Sequence, residues 1–174
     1  LDADTSVATY QAEFYDLASR VEATADYGTN LGEFRSKTGG GDPSAPPSIV
    51  QGSVPPSTDS VLVTTTQYDI RGVTGASIDP MGRRARQLYD SLGRTIATVE
   101  NDANSSVSVS WNDTDELWTV TGVNSGNDVD RVTTFVYNGN GSLLKLVAHN
   151  SVTGDQVTEY AYGVSTSSAG VGGS

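Results

Sequence analysis

The sequence contains no cysteine, which excludes disulfide staples, thiolate metal ligands and cysteine nucleophiles. Histidine occurs once (His149), methionine once (Met81) and lysine twice (Lys37 and Lys145). The residues that build amphipathic helices are therefore scarce, and no long run repeats at a spacing of three and four. No apolar stretch approaches the roughly 20 residues that cross a bilayer, so no membrane span is expected. The first ten residues lack the basic start and apolar run of a signal peptide. Basic residues are also in deficit: 10 Lys and Arg stand against 21 Asp and Glu, for a net charge of −11. A surface this acidic repels phosphate backbones, so nucleic acid is not an expected partner.

What is abundant points to strands and turns. The 174 residues include 19 Gly and 8 Tyr among long stretches of Ser, Thr and Val. β-Branched and aromatic residues fit pleated surfaces, and glycine serves tight turns. The pattern predicts an all-β fold of stacked antiparallel hairpins, divided into four regions. Residues 1–35 form an N-terminal β segment, with a β-prone run from Ser6 to Tyr15. Residues 36–60 hold five of the six prolines and three consecutive glycines, and read as a linker or wrapping loop. Residues 61–163 form the hairpin domain, and 164–174 a Gly/Ser tail. Starting at Leu1 and ending on Gly and Ser, the chain reads as a piece of something longer.

An internal repeat organises the hairpin region. Tyr15 and Asp16 open a first copy, closed by Ser19 and Arg20. Tyr68, Asp69 and Gly72 form a second; Tyr89, Asp90, Gly93 and Arg94 form a third, 21 residues on. Tyr137, Asn138 and Gly141 keep the aromatic, the capping side chain and the glycine in a fourth. A further turn, Asp79, Pro80, Met81, Gly82 and Arg83, lies within the 21-residue period. Asp or Asn caps such a turn through its side chain, and glycine three residues later supplies the positive φ that closes it. A tyrosine at each strand end stacks on the next hairpin while its hydroxyl reaches water or a carbonyl.

The pattern Y-D-x-x-G-R followed by D-P-x-G-R resembles the YD repeat of bacterial RHS proteins, related to teneurins and toxin-complex shells. The resemblance covers residues 9–35 and 61–163. It implies a spiral of β-hairpins, used as a shell or a long extracellular rod. Ser19, Val73 and Ser142 depart from the pattern, and the family's self-cleaving C-terminal motif is missing.

Residues with chemical potential all have a plain alternative. His149 reads as a solvent-facing strand-end residue, and no Gly-x-Ser-x-Gly elbow supports a triad. The oxygen-rich turns holding Asp113, Asp115, Asp128 and Asp130 are calcium candidates, or simply hairpin tips. Arg83, Arg84, Arg86 and Arg94 suit an anionic ligand, or pair with Asp79, Asp90 and Glu100. Trp111 and Trp118 suit a sugar face, or pack against each other across a hairpin. Asn104, Asn112 and Asn140 begin N-glycosylation sequons.

The expected role is a non-enzymatic structural module of an extracellular bacterial protein, cofactor-free and self-assembling into a fibre or rod. Two alternatives stand beside it: a glycan-binding adhesin module, and a fragment of a toxin-encapsulating RHS shell.

Overall fold

The computed structural model describes residues 7–38, 53–124 and 128–163. The tail at 164–174 and most of the proline-rich stretch expected at 36–60 lie outside these residues. The described chain is built almost entirely of antiparallel strands, as expected, with one short helix. The strands are β1 (Tyr10–Tyr15), β2 (Val21–Gly28), β3 (Leu62–Tyr68), β4 (Thr74–Ile78), β5 (Arg84–Tyr89), β6 (Thr95–Glu100), β7 (Ser108–Asn112), β8 (Leu117–Thr121), β9 (Arg131–Tyr137), β10 (Leu143–Ala148) and β11 (Gln156–Glu159). Nine of them make one sheet in the order β1-β2-β3-β4-β5-β6-β9-β10-β11, while β7 and β8 pair only with each other.

β2 pairs with β3, with Ala25 opposite Val63, so the N-terminal segment and the later hairpins share one continuous ladder. The helix α1 (Leu31–Thr38) was not expected; it straddles the boundary set at residue 35. Its start is legible in hindsight. Asn30 accepts the Glu33 amide on its side-chain oxygen at 3.2 Å, and Glu33 supplies first-turn negative charge. The helix stays because Phe34 stacks on Tyr10 (centroids 5.3 Å apart) and meets Tyr27 edge-on (5.4 Å).

Among the described residues, two hydrophobic clusters hold the fold. One gathers Phe14, Ala23, Ala25, Tyr27, Val61 and Val63 under Phe34; the other gathers Val99, Val107 and Val132 with Val120. The second exists because the inserted hairpin β7–β8 covers the ends of β6 and β9. Its joint is polar and built on two buried aspartates. The buried Asp102 carboxylate accepts Arg86 Nε at 2.8 Å and the Ser105 amide at 2.9 Å. The buried Asp130 carboxylate accepts the Ala103 amide and both the amide and side-chain nitrogens of Asn124. Buried carboxylates need such partners.

Candidate functional site: the turn row and the aromatic cleft

Five tight turns in the sheet share one hydrogen-bond pattern, at Asp16–Arg20, Asp69–Val73, Asp79–Arg83, Asp90–Arg94 and Asn138–Ser142. In each, the first residue's amide donates to the fifth residue's carbonyl, and the fourth residue's amide donates back to the first, all at 2.9–3.1 Å. The capping oxygen of Asp or Asn accepts the third and fifth amides, so that four of the turn's five residues have their amides bonded within it. The fourth residue is left-handed: Gly72, Gly82, Gly93 and Gly141 have φ of 80–84°, and Ser19 takes 60° despite its side chain. This is a three-residue loop closed by a left-handed residue, and the register slips beside Tyr15, Tyr68 and Tyr89 are the accompanying bulges.

Arginine completes the turns. Arg20, Arg83 and Arg94 each direct Nε to the second oxygen of the turn aspartate at 2.7–2.8 Å. Where Val73 stands in that place, Arg71 reaches Asp69 instead, also at 2.8 Å. The consequences for ionisation follow. The Arg20 guanidinium holds the Asp16 carboxyl below its ordinary value, Arg71 does the same for Asp69, and the Arg83 amide and guanidinium for Asp79. For Asp90, burial pushes upward, but the amide and guanidinium of Arg94 outweigh it.

Because strands alternate in direction, the four tyrosine-bearing turns lie along one side of the sheet, and Asp79–Arg83 lies on the other. Along that row the tyrosines form a ladder. The hydroxyls of Tyr68, Tyr89 and Tyr137 donate to the carbonyls of Val21, Thr74 and Thr95 at 2.7–2.9 Å. Each acceptor is the residue just past the preceding turn. The guanidiniums of Arg20, Arg71 and Arg94 lie over the same three rings, 4.3–5.4 Å from the centroids. Arg71 and Arg94 also donate to the carbonyls of Asp90 and Asn138 in the next turn. Tyrosine thus reaches back to the hairpin before it, the reverse of the direction expected from the sequence. Burial pushes the Tyr89 and Tyr137 phenols upward, keeping them protonated as donors.

The two tryptophans are cross-strand partners, 5.1 Å apart and inclined at 69°. Trp118 donates its indole N–H to the Phe135 carbonyl at 2.9 Å, which pins β8 to the sheet. Between them and the turn row is a cleft of about 160 Å³, lined by Asp90, Arg94, Ile96, Trp111, Trp118, Phe135 and Tyr137.

Other sequence candidates fall differently. Among the described residues no three acidic or histidine side chains form a metal-sized cluster. Asp113 is exposed, Asp115 accepts Asn112, Asp128 faces Arg131 at 3.2 Å, and Asp130 is spent inside the joint. The structure therefore does not bring the four calcium candidates together. Arg84 and Arg86 pair with Asp102, and Glu100 with Arg131, not with each other as expected. Of the sequon asparagines, Asn112 and Asn104 hold their own loops, while Asn140 sits exposed at a turn tip. His149 is not solvent-facing: its side chain is only 18% exposed and bridges Thr134 Oγ1 and Asp155 Oδ2, each at 2.9 Å. Thr134 is fully buried, so this serine-protease-like arrangement fastens a loop and offers no open nucleophile. Sequence reading missed Asp102 and took Asp130 for a calcium candidate or a hairpin tip, since nothing local distinguishes a buried aspartate from a turn aspartate.

No protein-family model matches the chain, and no curated protein matches it either.

Proposed function

We propose that the chain is a structural module of an extracellular bacterial protein, a YD-type stack of hairpins that self-associates into a fibre or rod. The observation that carries this reading is the tyrosine-arginine ladder. Each rung joins one hairpin to the next, so the repeat's most distinctive residues are spent on linking neighbours. That chemistry extends with the number of hairpins and needs no cofactor. The resemblance to RHS repeats carries the extracellular setting. Light scattering and electron microscopy of the concentrated chain test it: assemblies that grow with concentration are expected, and a strictly monomeric chain overturns it.

A second reading, a glycan-binding module, is favoured by the cleft beside Trp111, which is 42% exposed and lines the cleft with Arg94 and Asp90. A glycan array with the wild type and Trp111→Ala separates the two readings, since only the second loses a signal.

A further inference from the structure

The two edges of the sheet differ. β1 carries a register slip at Tyr10, in addition to the one beside its turn, and α1 leans on it through Phe34. Bulges and covering elements of this kind blunt an edge. β11 has neither. It pairs in regular register with β10, all four of its residues are exposed, and it holds no proline or lysine. Its one charge is occupied locally, because Glu159 faces Lys145 at 3.5 Å.

The phase of its open hydrogen bonds can be read directly. The Tyr160 amide donates to the Leu144 carbonyl at 2.8 Å, so Gln156, Thr158 and Tyr160 turn their backbone groups inward to β10. In a strand the alternate residues turn outward, here Val157, Glu159 and Ala161. Strand direction then decides how a second copy can pair. Nine strands alternate in direction, an odd number, so β1 and β11 run the same way. A copy added by simple translation would meet β11 with a parallel strand, the less stable ladder. A copy turned over about the inter-strand axis would offer β1 antiparallel, but β1 is the blunted edge; inversion within the sheet plane instead brings β11 to β11 in an antiparallel ladder.

Resting on the self-association reading above, we propose that two copies join through β11 about a two-fold axis centred on Thr158. The choice of centre follows from charge. Centring on Glu159 sets two glutamates opposite each other, and centring on Val157 sets Glu159 opposite Asp155; like charges directly opposed are destabilising. Centring on Thr158 avoids both. It pairs the outward groups of Val157 with those of Glu159, sets Gln156 beside the half-exposed Tyr160, and faces threonine with threonine, a favourable cross-strand pair. The contact is isologous and closes on itself, so a fibre built this way alternates inverted copies and needs a second contact elsewhere.

The absence of cysteine makes the test clean, because one introduced thiol is the only thiol. At the proposed axis the facing Cα atoms would be about 4.5 Å apart, within the span of a disulfide. Full-length Thr158→Cys, oxidised mildly at a concentration where light scattering shows association, is expected to cross-link to a dimer. Glu159→Cys, offset from the axis, should cross-link several-fold less. Val157→Pro removes an outward amide and should weaken association at least tenfold with the β-type circular dichroism unchanged. Association without preferential Thr158→Cys cross-linking overturns the two-fold pairing and leaves self-association standing. A monomer at every concentration overturns both.

Discussion

Ser19 holds a backbone conformation that its four counterparts give to glycine, with φ of 60° against 80–84°. An L-residue there costs about 1 kcal/mol, and glycine does not. Ser19→Gly should therefore raise the melting temperature by about 2–4 °C in a thermal scan; no change would mean the turn is relaxed as it stands. Gly122 is the opposite case. At φ 78° it packs so tightly that a Cβ would fall 2.1 Å from the Ser106 carbonyl oxygen, so Gly122→Ala should loosen the β7–β8 hairpin. The turn glycines and aspartates were legible in the sequence because their spacing is local. Gly122 was not, since its constraint comes from residue 106 across a hairpin. Nor was the substitution of Arg71 for an arginine at 73, which depends on which guanidinium can reach the same carboxylate. At this scale too, Asp102→Ala strands the half-buried cation of Arg86 and should cost about 3 kcal/mol in denaturant unfolding.

Among the elements, the tyrosine ladder is testable rung by rung. Tyr89→Phe and Tyr137→Phe each delete one hydroxyl donation to a backbone carbonyl and should cost about 1 kcal/mol apiece. The rungs belong to different hairpins, so the double variant should be close to additive. A large coupling energy would show that the row responds as one unit. Removing Trp118 should act more narrowly. Trp118→Ala loses the indole donation to Phe135 and should speed amide exchange in β7 and β8 while β2 to β5 stay protected. Strand existence was readable from β-branched and aromatic runs, but pairing partners were not. Nothing between residues 36 and 60 announces that β2 and β3 are neighbours, and nothing near 101–130 announces an excursion from the sheet. The helix at Leu31–Thr38 escaped for a similar reason: its residues are poor amphipaths, and Phe34 finds its partners only in the folded sheet.

For the molecule as a whole, acid sensitivity follows from the turns. Asp16, Asp69, Asp79, Asp90 and Asp130 all titrate below their ordinary value in the folded state. A depressed carboxyl stabilises the fold above the unfolded pKa and loses that contribution as pH falls through the folded one. The melting temperature should be nearly flat from neutral pH to about 5 and decline below about 4, where aspartates protonate. A profile that instead falls above pH 6 would assign the sensitivity to another group. The ladder also makes the sheet mechanically lopsided. Tension applied from β1 to β11 pulls along the inter-strand hydrogen bonds, which open in sequence from an edge like a zip. Tyrosine cross-ties recur between successive hairpins along the side that carries the tyrosine turns; among the described residues the other side is tied at β6 and β9, by Asp130 to Ala103 and Arg131 to Glu100. A molecule stretched between its edge strands should therefore open like a fan, hinged along the tyrosine row, and Tyr89→Phe should lower the rupture force of one joint while sparing its neighbours.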